Sequence, residues 1–374
     1  MLISSAFDSG KINVVNSDDP ANIRLKIPKD SNSDFYQWFY FRASGIADTA
    51  CKFTIENASG AAYPEGWQNY RVCASYDRET WFRIETRFDG TSLTWEAEPD
   101  QDSIYFAYFA PYTMEQHADL IASVSLSPLV KTSVLGHTLD GQDMDLVEIG
   151  HGPEGRKIIW LIARQHPGET MAEWWMEGAL DYLLDPDNPV ARALLKKVHF
   201  YIVPNMNPDG SKRGNLRTNA AGANLNREWL TPSMERSPEV FLVRQKMQET
   251  GMDLLMDVHG DEAIPQNFLA GFEGIPDASD EKINQFKQFR DTLCAVSPDF
   301  QQKVGYPEST PGSATLKICT DYIAATFNCV SMTLEMPFKD NDDLPDPNFG
   351  WSPERCAHLG RSSIDTIHLI IDEI

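Results

Sequence analysis

The sequence predicts an α/β unit, a mixed and mainly parallel sheet with helices on both faces, preceded by an antiparallel β-sandwich. Three observations predict it. Short alternating segments separated by turn residues fill roughly the first hundred positions. Apolar runs of strand length then alternate with stretches of helical periodicity. A chain of 374 residues is also long for one core, so two units are expected, at residues 1–122 and 123–374.

In the first unit Asp34 to Phe41 (DFYQWFYF) is densely aromatic, Lys52-Phe53-Thr54-Ile55 alternates, and Trp81 to Thr86 and Leu93 to Glu96 continue the pattern. Asn57-Ala58-Ser59-Gly60 and Asp89-Gly90 supply turn chemistry between them. The aromatic residues are expected to pack a core rather than form a carbohydrate-binding face, because they alternate within strands. Ile104 to Tyr108 closes this unit. Thr113 with Gln116 then forms a capping-box pattern that opens a helix through about Ala122.

The second unit begins with Val130 to Leu135 and Met144 to Ile149, a hairpin across Asp140-Gly141. Gly150 to Lys157 (GHGPEGRK) has the outline of a phosphate loop, but it lacks the Lys-Ser/Thr ending and leads into a strand, which excludes that reading. Ile158 to Ala163 is a buried strand, too short for a buried helix. Met171 to Leu184 repeats apolar residues at helical spacing, and Asp185 to Pro189 is a turn. Val198 to Val203 is a further strand, Ser237 to Glu249 and Asp280 to Leu293 are helices, Val330 to Leu334 is the last inner strand, and Arg361 to Ile371 is a closing helix.

Composition excludes several classes. The net charge of -23, from 32 basic and 55 acidic residues, repels phosphate backbones, and no basic run overrides it, so nucleic acid is not expected as a partner. The first residues lack a basic start and a continuous apolar segment, and no apolar run approaches membrane-spanning length. The six cysteines are scattered without C-x-x-C pairs, against both a cysteine zinc site and a disulfide framework. These features point to the cytoplasm, with no membrane partner. Oligomeric state is not legible in them.

Between the central strand and the helix at Met171 lie His166, Pro167, Gly168 and Glu169. Loops at the carboxyl ends of strands are where an α/β unit places its chemistry. Imidazole nitrogen and carboxylate oxygen are zinc ligands, and two from one tight turn need a third from elsewhere to leave a fourth position for water. Leu254 to His259, a second apolar run ending in histidine, supplies it. The H-x-x-E spacing is weak by itself. Its company makes it specific: ARQHPGET, NMNPDG, NLNREW, DVHGDE and TLEMPF follow one another, four of the five directly after a strand.

That arrangement resembles the M14 zinc metallocarboxypeptidases, and within them the cytosolic carboxypeptidase subfamily, which carries a β-rich domain ahead of the catalytic one. Gln37 to Phe41 also looks like a segment of that amino-terminal domain. The resemblance implies a zinc carboxypeptidase-like fold, a Zn2+ ion on His166, Glu169 and His259, and a peptide or protein C-terminal tail as substrate. It implies that Glu335 is the general base, that Arg217 polarises the scissile carbonyl and that Asn226 and Arg227 hold the terminal carboxylate. Guanidinium is in any case the planar, permanently charged fork that a carboxylate fits. Glu335 also ends an apolar run, where an ionised side chain is costly without a task. Asp261 and Glu262 are expected to line the cleft.

Two departures matter. Many relatives place an aspartate two residues before the Asn-Arg pair to orient a ligating histidine; here that position is Asn224, which can accept the bond but brings no charge. The mobile tyrosine of many such enzymes has two candidates, Tyr306 in GYPESTPGS and Tyr322 in the next helix, with Tyr306 preferred. Members that trim glutamate need a cation for the terminal side chain; Lys317 lies in a region that could supply one, although a solvent-pointing lysine is the simpler reading. Eukaryotic members shorten polyglutamate chains on tubulin, which leaves the peptide cut by this chain open. The alternatives are an amide hydrolase acting on small acyl amino acids, and a non-catalytic binding module.

Overall fold

The computed structural model describes residues 1–374 apart from His151 and Pro153, so part of the excluded phosphate-loop outline lies outside the described residues. The first unit contains β1 (Leu2–Ser4), β2 (Asn13–Asn16), β3 (Ile23–Lys26), β4 (Tyr40–Ser44), β5 (Cys51–Ile55), β6 (Val72–Ser75), β7 (Phe82–Ile84), β8 (Thr86–Phe88), β9 (Leu93–Ala97) and β10 (Ser103–Ala107). One sheet runs β1-β4-β10-β6-β7 and the other β2-β3-β5-β9-β8. The pairings are antiparallel except that of β3 with β5. Between the sheets Phe53 stacks on Trp95 with ring centroids 5.3 Å apart, and Phe41 meets Phe106 at 5.4 Å.

The aromatic run is core, but not by simple alternation. Trp38, Phe39, Tyr40 and Phe41 are all buried. Tyr40 turns away from the inter-sheet layer onto Phe7 and Trp81, at 4.8 and 5.9 Å. The run is a strand only from Tyr40 onward, because the carbonyls of Phe35 and Tyr36 accept from the backbone of Asp30 and Ala62 instead of a ladder. Trp81 to Thr86, expected as one strand, divides: β7 pairs in the first sheet, and after Glu85 β8 pairs in the second.

Helix α1 (Met114–Val124) follows, with the capping box of Thr113 and Gln116 in place. Then come β11 (Val130–His137), β12 (Asp143–Ile149), β13 (Lys157–Ala163), α2 (Met171–Leu184), α3 (Pro189–Leu194), β14 (Val198–Val203), α4 (Pro208–Arg213), α5 (Pro238–Thr250), β15 (Leu254–Asp261), β16 (Phe268–Ala270), α6 (Asp280–Val296), α7 (Cys319–Phe327), β17 (Val330–Pro337) and α8 (Pro353–Ile370). The closing helix therefore begins earlier than its apolar periodicity suggests, capped by Ser352.

The seven strands run β11-β12-β14-β13-β15-β17-β16, with the inner four parallel. Side chains alternate across β13. Ile159, Leu161 and Ala163 enter a core with α2, α6 and α8, while Trp160 and Ile162 enter another with α5 and α7. Burial on both faces explains why the strand reads as a continuous apolar run. The first of these cores is continuous with the β sandwich. Arg83 of β7 strengthens the junction, donating to the carbonyls of Phe338 and Lys339, just beyond β17, at 2.9 and 3.0 Å, and to that of Trp351, just ahead of α8, at 3.1 Å.

Candidate active site

At the end of β13 the chain turns at Arg164, whose φ of +60° is rare for a residue with a Cβ. Its buried guanidinium holds the turn, donating to Pro167 O at 2.9 Å and Tyr112 O at 2.7 Å while pairing with Glu173 of α2. Gly168 lets the loop lie on the neighbouring chain, where a Cβ would come within 2.9 Å of the Leu216 carbonyl oxygen. His166 and Glu169 are thereby turned inward and buried.

His259, near the end of β15, meets them. Its Nδ1 is 3.2 Å from His166 Nδ1 and 2.8 Å from Glu169 Oε2, and His166 Nδ1 is 2.7 Å from Glu169 Oε1. Among the described residues these three form the group of ligating side chains able to hold a metal ion. On the outer side His166 Nε2 is hydrogen-bonded to Asn224 Oδ1 at 3.0 Å, and His259 Nε2 stands in ion-pair range of Asp257 Oδ1 at 3.0 Å. With Nε2 as the donor in each ring, both Nδ1 lone pairs face the carboxylate and each other, which is the donor set of a cation.

The electrostatics agree. Burial and the Arg217 charge lower His166 to about 4, keeping it in the neutral, ligating form. Burial alone would lower His259 as well, but Asp257 and Glu169 outweigh it and hold that imidazole well above its ordinary range. The two carboxylates thus favour positive charge on the His259 side of the triad, while Arg217 and burial keep His166 neutral.

Glu335 is the register partner of His259 on adjacent parallel strands. Its Oε2 is buried without a hydrogen-bond partner. Burial pushes its carboxyl well above the usual range, against the pull of His259. A cleft of about 760 Å³ opens beside these groups, lined also by Arg217, Asn226, Arg227, Asp261, Glu262 and Tyr306. Arg217 NH1 stands 3.9 Å from Glu169 Oε1. Asn226 Oδ1 accepts from the Cys319 N–H at 2.9 Å at the start of α7, which leaves its amide N–H groups available, and Arg227 is exposed at the rim. Tyr306, 49% exposed, donates to Asp261 Oδ2 at 2.7 Å and lies 3.4 Å from Glu335 Oε1. Tyr322 is instead on α7, beneath the Arg244 guanidinium. Lys317 is exposed and is not among the lining residues.

Among the lining residues that sequence reasoning did not single out, two carry chemistry used below. Arg290 of α6 enters it one helical turn beyond Phe286, and this i, i+4 pair on one face was a readable signal. Tyr63, from the β sandwich, enters through a fold-back that no local pattern announces.

Residues 3–109 match the cytosolic carboxypeptidase N-terminal domain and residues 116–348 the zinc carboxypeptidase family. An uncharacterized protein of Zymomonas mobilis is 54% identical over all of this chain and 97% of its own length. Human cytosolic carboxypeptidase 1 is 32% identical over 66% of this chain, which spans only 24% of that longer protein. The crystal structure of a metallo-carboxypeptidase from Burkholderia cenocepacia is 47% identical, covers 99% of both chains and superposes with a TM-score of 0.97. One from Pseudomonas aeruginosa, in complex with (2-guanidinoethylmercapto)succinic acid, is 44% identical over 100% of both chains, with a TM-score of 0.97.

Proposed function

The chain belongs to the M14 zinc carboxypeptidase family and carries a cytosolic carboxypeptidase N-terminal domain, and from that premise we propose that it removes the C-terminal residue of a peptide or protein tail, preferring an acidic one, in a zinc-dependent reaction. The observation that carries this reading is the placement of Glu335, a buried carboxylate with one free oxygen, in register with His259 of the donor triad.

His166, Glu169 and His259 would hold the zinc ion. When bound it supplies an acidified water and polarises a carbonyl. Glu335 takes a proton from the attacking water and delivers it to the leaving amine nitrogen, a role suited to a buried carboxyl raised above its usual range. Arg217 stabilises the developing oxyanion, and Asn226 with Arg227 receives the free carboxylate of the tail. Tyr306 closes the cleft over the scissile bond.

For the terminal side chain the cation is Arg290, which lines the cleft, and not the exposed Lys317. Its Nε is buried without a partner, and Glu308 stands 3.8 Å away and mostly in solvent, which leaves guanidinium donors for an acidic ligand. Unpaired buried donors of this kind select for the group that satisfies them.

We place the protein in the cytoplasm, consistent with six unpaired cysteines. No helix among the described residues is long and apolar enough to cross a membrane. We place the boundary between the units ahead of α1, since His117 of that helix is bonded to Glu173 in the second unit.

The deciding experiment is a C-terminal peptide library screened with and without chelator, with free and amidated termini. Expected is chelator-sensitive release of terminal glutamate or aspartate from free carboxylates. Equal cleavage of the amidated set would overturn the carboxypeptidase reading.

A further inference from the structure

We propose that Asp30 of the β sandwich is a positioning residue for Arg217, which makes the amino-terminal unit a working part of the active site. The proposal rests on reading Arg217 as the oxyanion-binding cation. Asp30 is 5% exposed. Its carboxylate accepts the backbone N–H groups of three successive residues, Leu216 at 2.7 Å, Arg217 at 2.8 Å and Thr218 at 3.0 Å, and the Thr218 hydroxyl at 3.2 Å.

The loop held in this way lies between α4 and the short turn at Leu225–Arg227, with no helix or strand of its own. Its conformation therefore depends on such external bonds. A carboxylate can take three adjacent N–H donors and a hydroxyl, because both oxygens are acceptors; an amide has one oxygen and presents N–H groups on the other side. The bonds flank the Arg217 Cα and so fix the direction in which its side chain leaves the backbone.

The same unit also shapes the path of that side chain. The Arg217 guanidinium carbon lies 5.8 Å from the Phe35 ring centroid and 5.4 Å from that of Tyr63, distances at which aromatic faces attract a cation. Neighbouring contacts seat the rest of the loop. Asn32 donates to Ala220 O at 2.9 Å, and Gly222, at φ +78°, lies where a Cβ would meet Asn32 O at 2.1 Å. Backbone, side chain and loop are thus all set by residues more than 150 positions earlier in the sequence.

Three measurements on the metal-loaded full chain test this. Asp30→Asn should lower kcat at least about 10-fold with KM within about twofold, since a small misplacement of a group that acts at the transition state costs turnover rather than binding. Zinc content should be unchanged, and the amides of Leu216, Arg217 and Thr218 should exchange faster. In an Arg217→Ala background the same substitution should lower kcat by less than about twofold, because a residue acting through Arg217 has nothing left to position. If Asp30→Asn does not fold, Thr218→Val removes one donor to the same carboxylate and should lower kcat about threefold, again only when Arg217 is present. Undiminished loss in the Arg217→Ala background, or unaltered amide exchange, would overturn the proposal. A wild-type protein that cleaves no peptide would overturn the functional reading instead, and the exchange measurement would then still decide whether Asp30 holds the loop.

Discussion

His259 and Glu335 face one another as register partners across the parallel strands β15 and β17. A metal-ligand candidate and a proton-transfer candidate are therefore mounted on the stiffest part of the molecule, the inner sheet, rather than on independent loops. Strands in one sheet stand about 5 Å apart, which sets the spacing of the two groups before any side chain chooses a rotamer. The other two candidate ligands, His166 and Glu169, come from the loop after β13, next to β15 on its other side.

Glu335→Gln keeps the shape of this arrangement and removes the proposed proton carrier. Turnover should fall by roughly 10²–10⁴-fold with metal content unchanged. Atomic absorption of the purified variant alongside its kcat separates the two; a near-normal rate would remove Glu335 from the mechanism.

Asn224 presents an amide oxygen to His166 Nε2. A carboxylate there would accept the same bond and add charge, making the ring a better ligand. Asn224→Asp is expected to raise zinc affinity, by up to roughly 10-fold on the scale of such supporting partners. Competition against a chromophoric chelator measures this; an unchanged affinity would show that Asp257 beside His259 already saturates the effect, and a weaker one would overturn the expectation.

The catalytic half was the more legible part. β13, α2 and β14 lie where apolar runs and helical spacing put them, because each is bounded by turn residues and buried on faces that impose a clean period. The candidate ligands were readable because His166 and Glu169 follow β13 directly and His259 lies near the end of β15. The misreadings share one cause, which is that tertiary packing sets them. Glu85 divides a single alternating run between two sheets. Arg290, which was not singled out, lines the cleft, while Lys317 is exposed outside its lining, as its simpler reading had it. Asp30 and Tyr63 act across an interface that depends on how the sandwich seats on the second unit, and nothing in their local sequence marks that.

Tyr306 is half exposed, and its hydroxyl bonds Asp261. Tyr306→Phe should leave Tm unchanged, since an exposed substitution perturbs stability by less than about 0.5 kcal/mol. It should reduce kcat/KM severalfold on a free-carboxylate peptide. An unaltered kcat/KM would mean that the hydroxyl does not reach the substrate.

Arg290 tests the specificity reading. Arg290→Ala should lower kcat/KM for a peptide ending in glutamate by roughly 10- to 100-fold while leaving one ending in alanine within a few fold. An equal loss on both would make Arg290 a structural residue of α6.

The turn that carries His166 is backed by a buried charge network whose pH response is separable from catalysis. His117 of α1 has Nδ1 2.6 Å from Glu173 Oε1 and Nε2 3.2 Å from Asp145 Oδ2, and Glu173 also pairs with Arg164. Burial by itself would lower this imidazole, but Asp145 and Glu173 outweigh it and raise it to about 9. An unfolded histidine titrates near 6.5. Since the folded value is the higher one, the stabilisation is fully present below about pH 6.5 and is lost as pH rises towards 9, with an overall size on the order of 3 kcal/mol. Thermal unfolding of wild type and His117→Gln across pH 6 to 9 checks this. Wild type should lose stability through that window relative to the variant, and parallel curves would show that His117 is neutral in the folded protein.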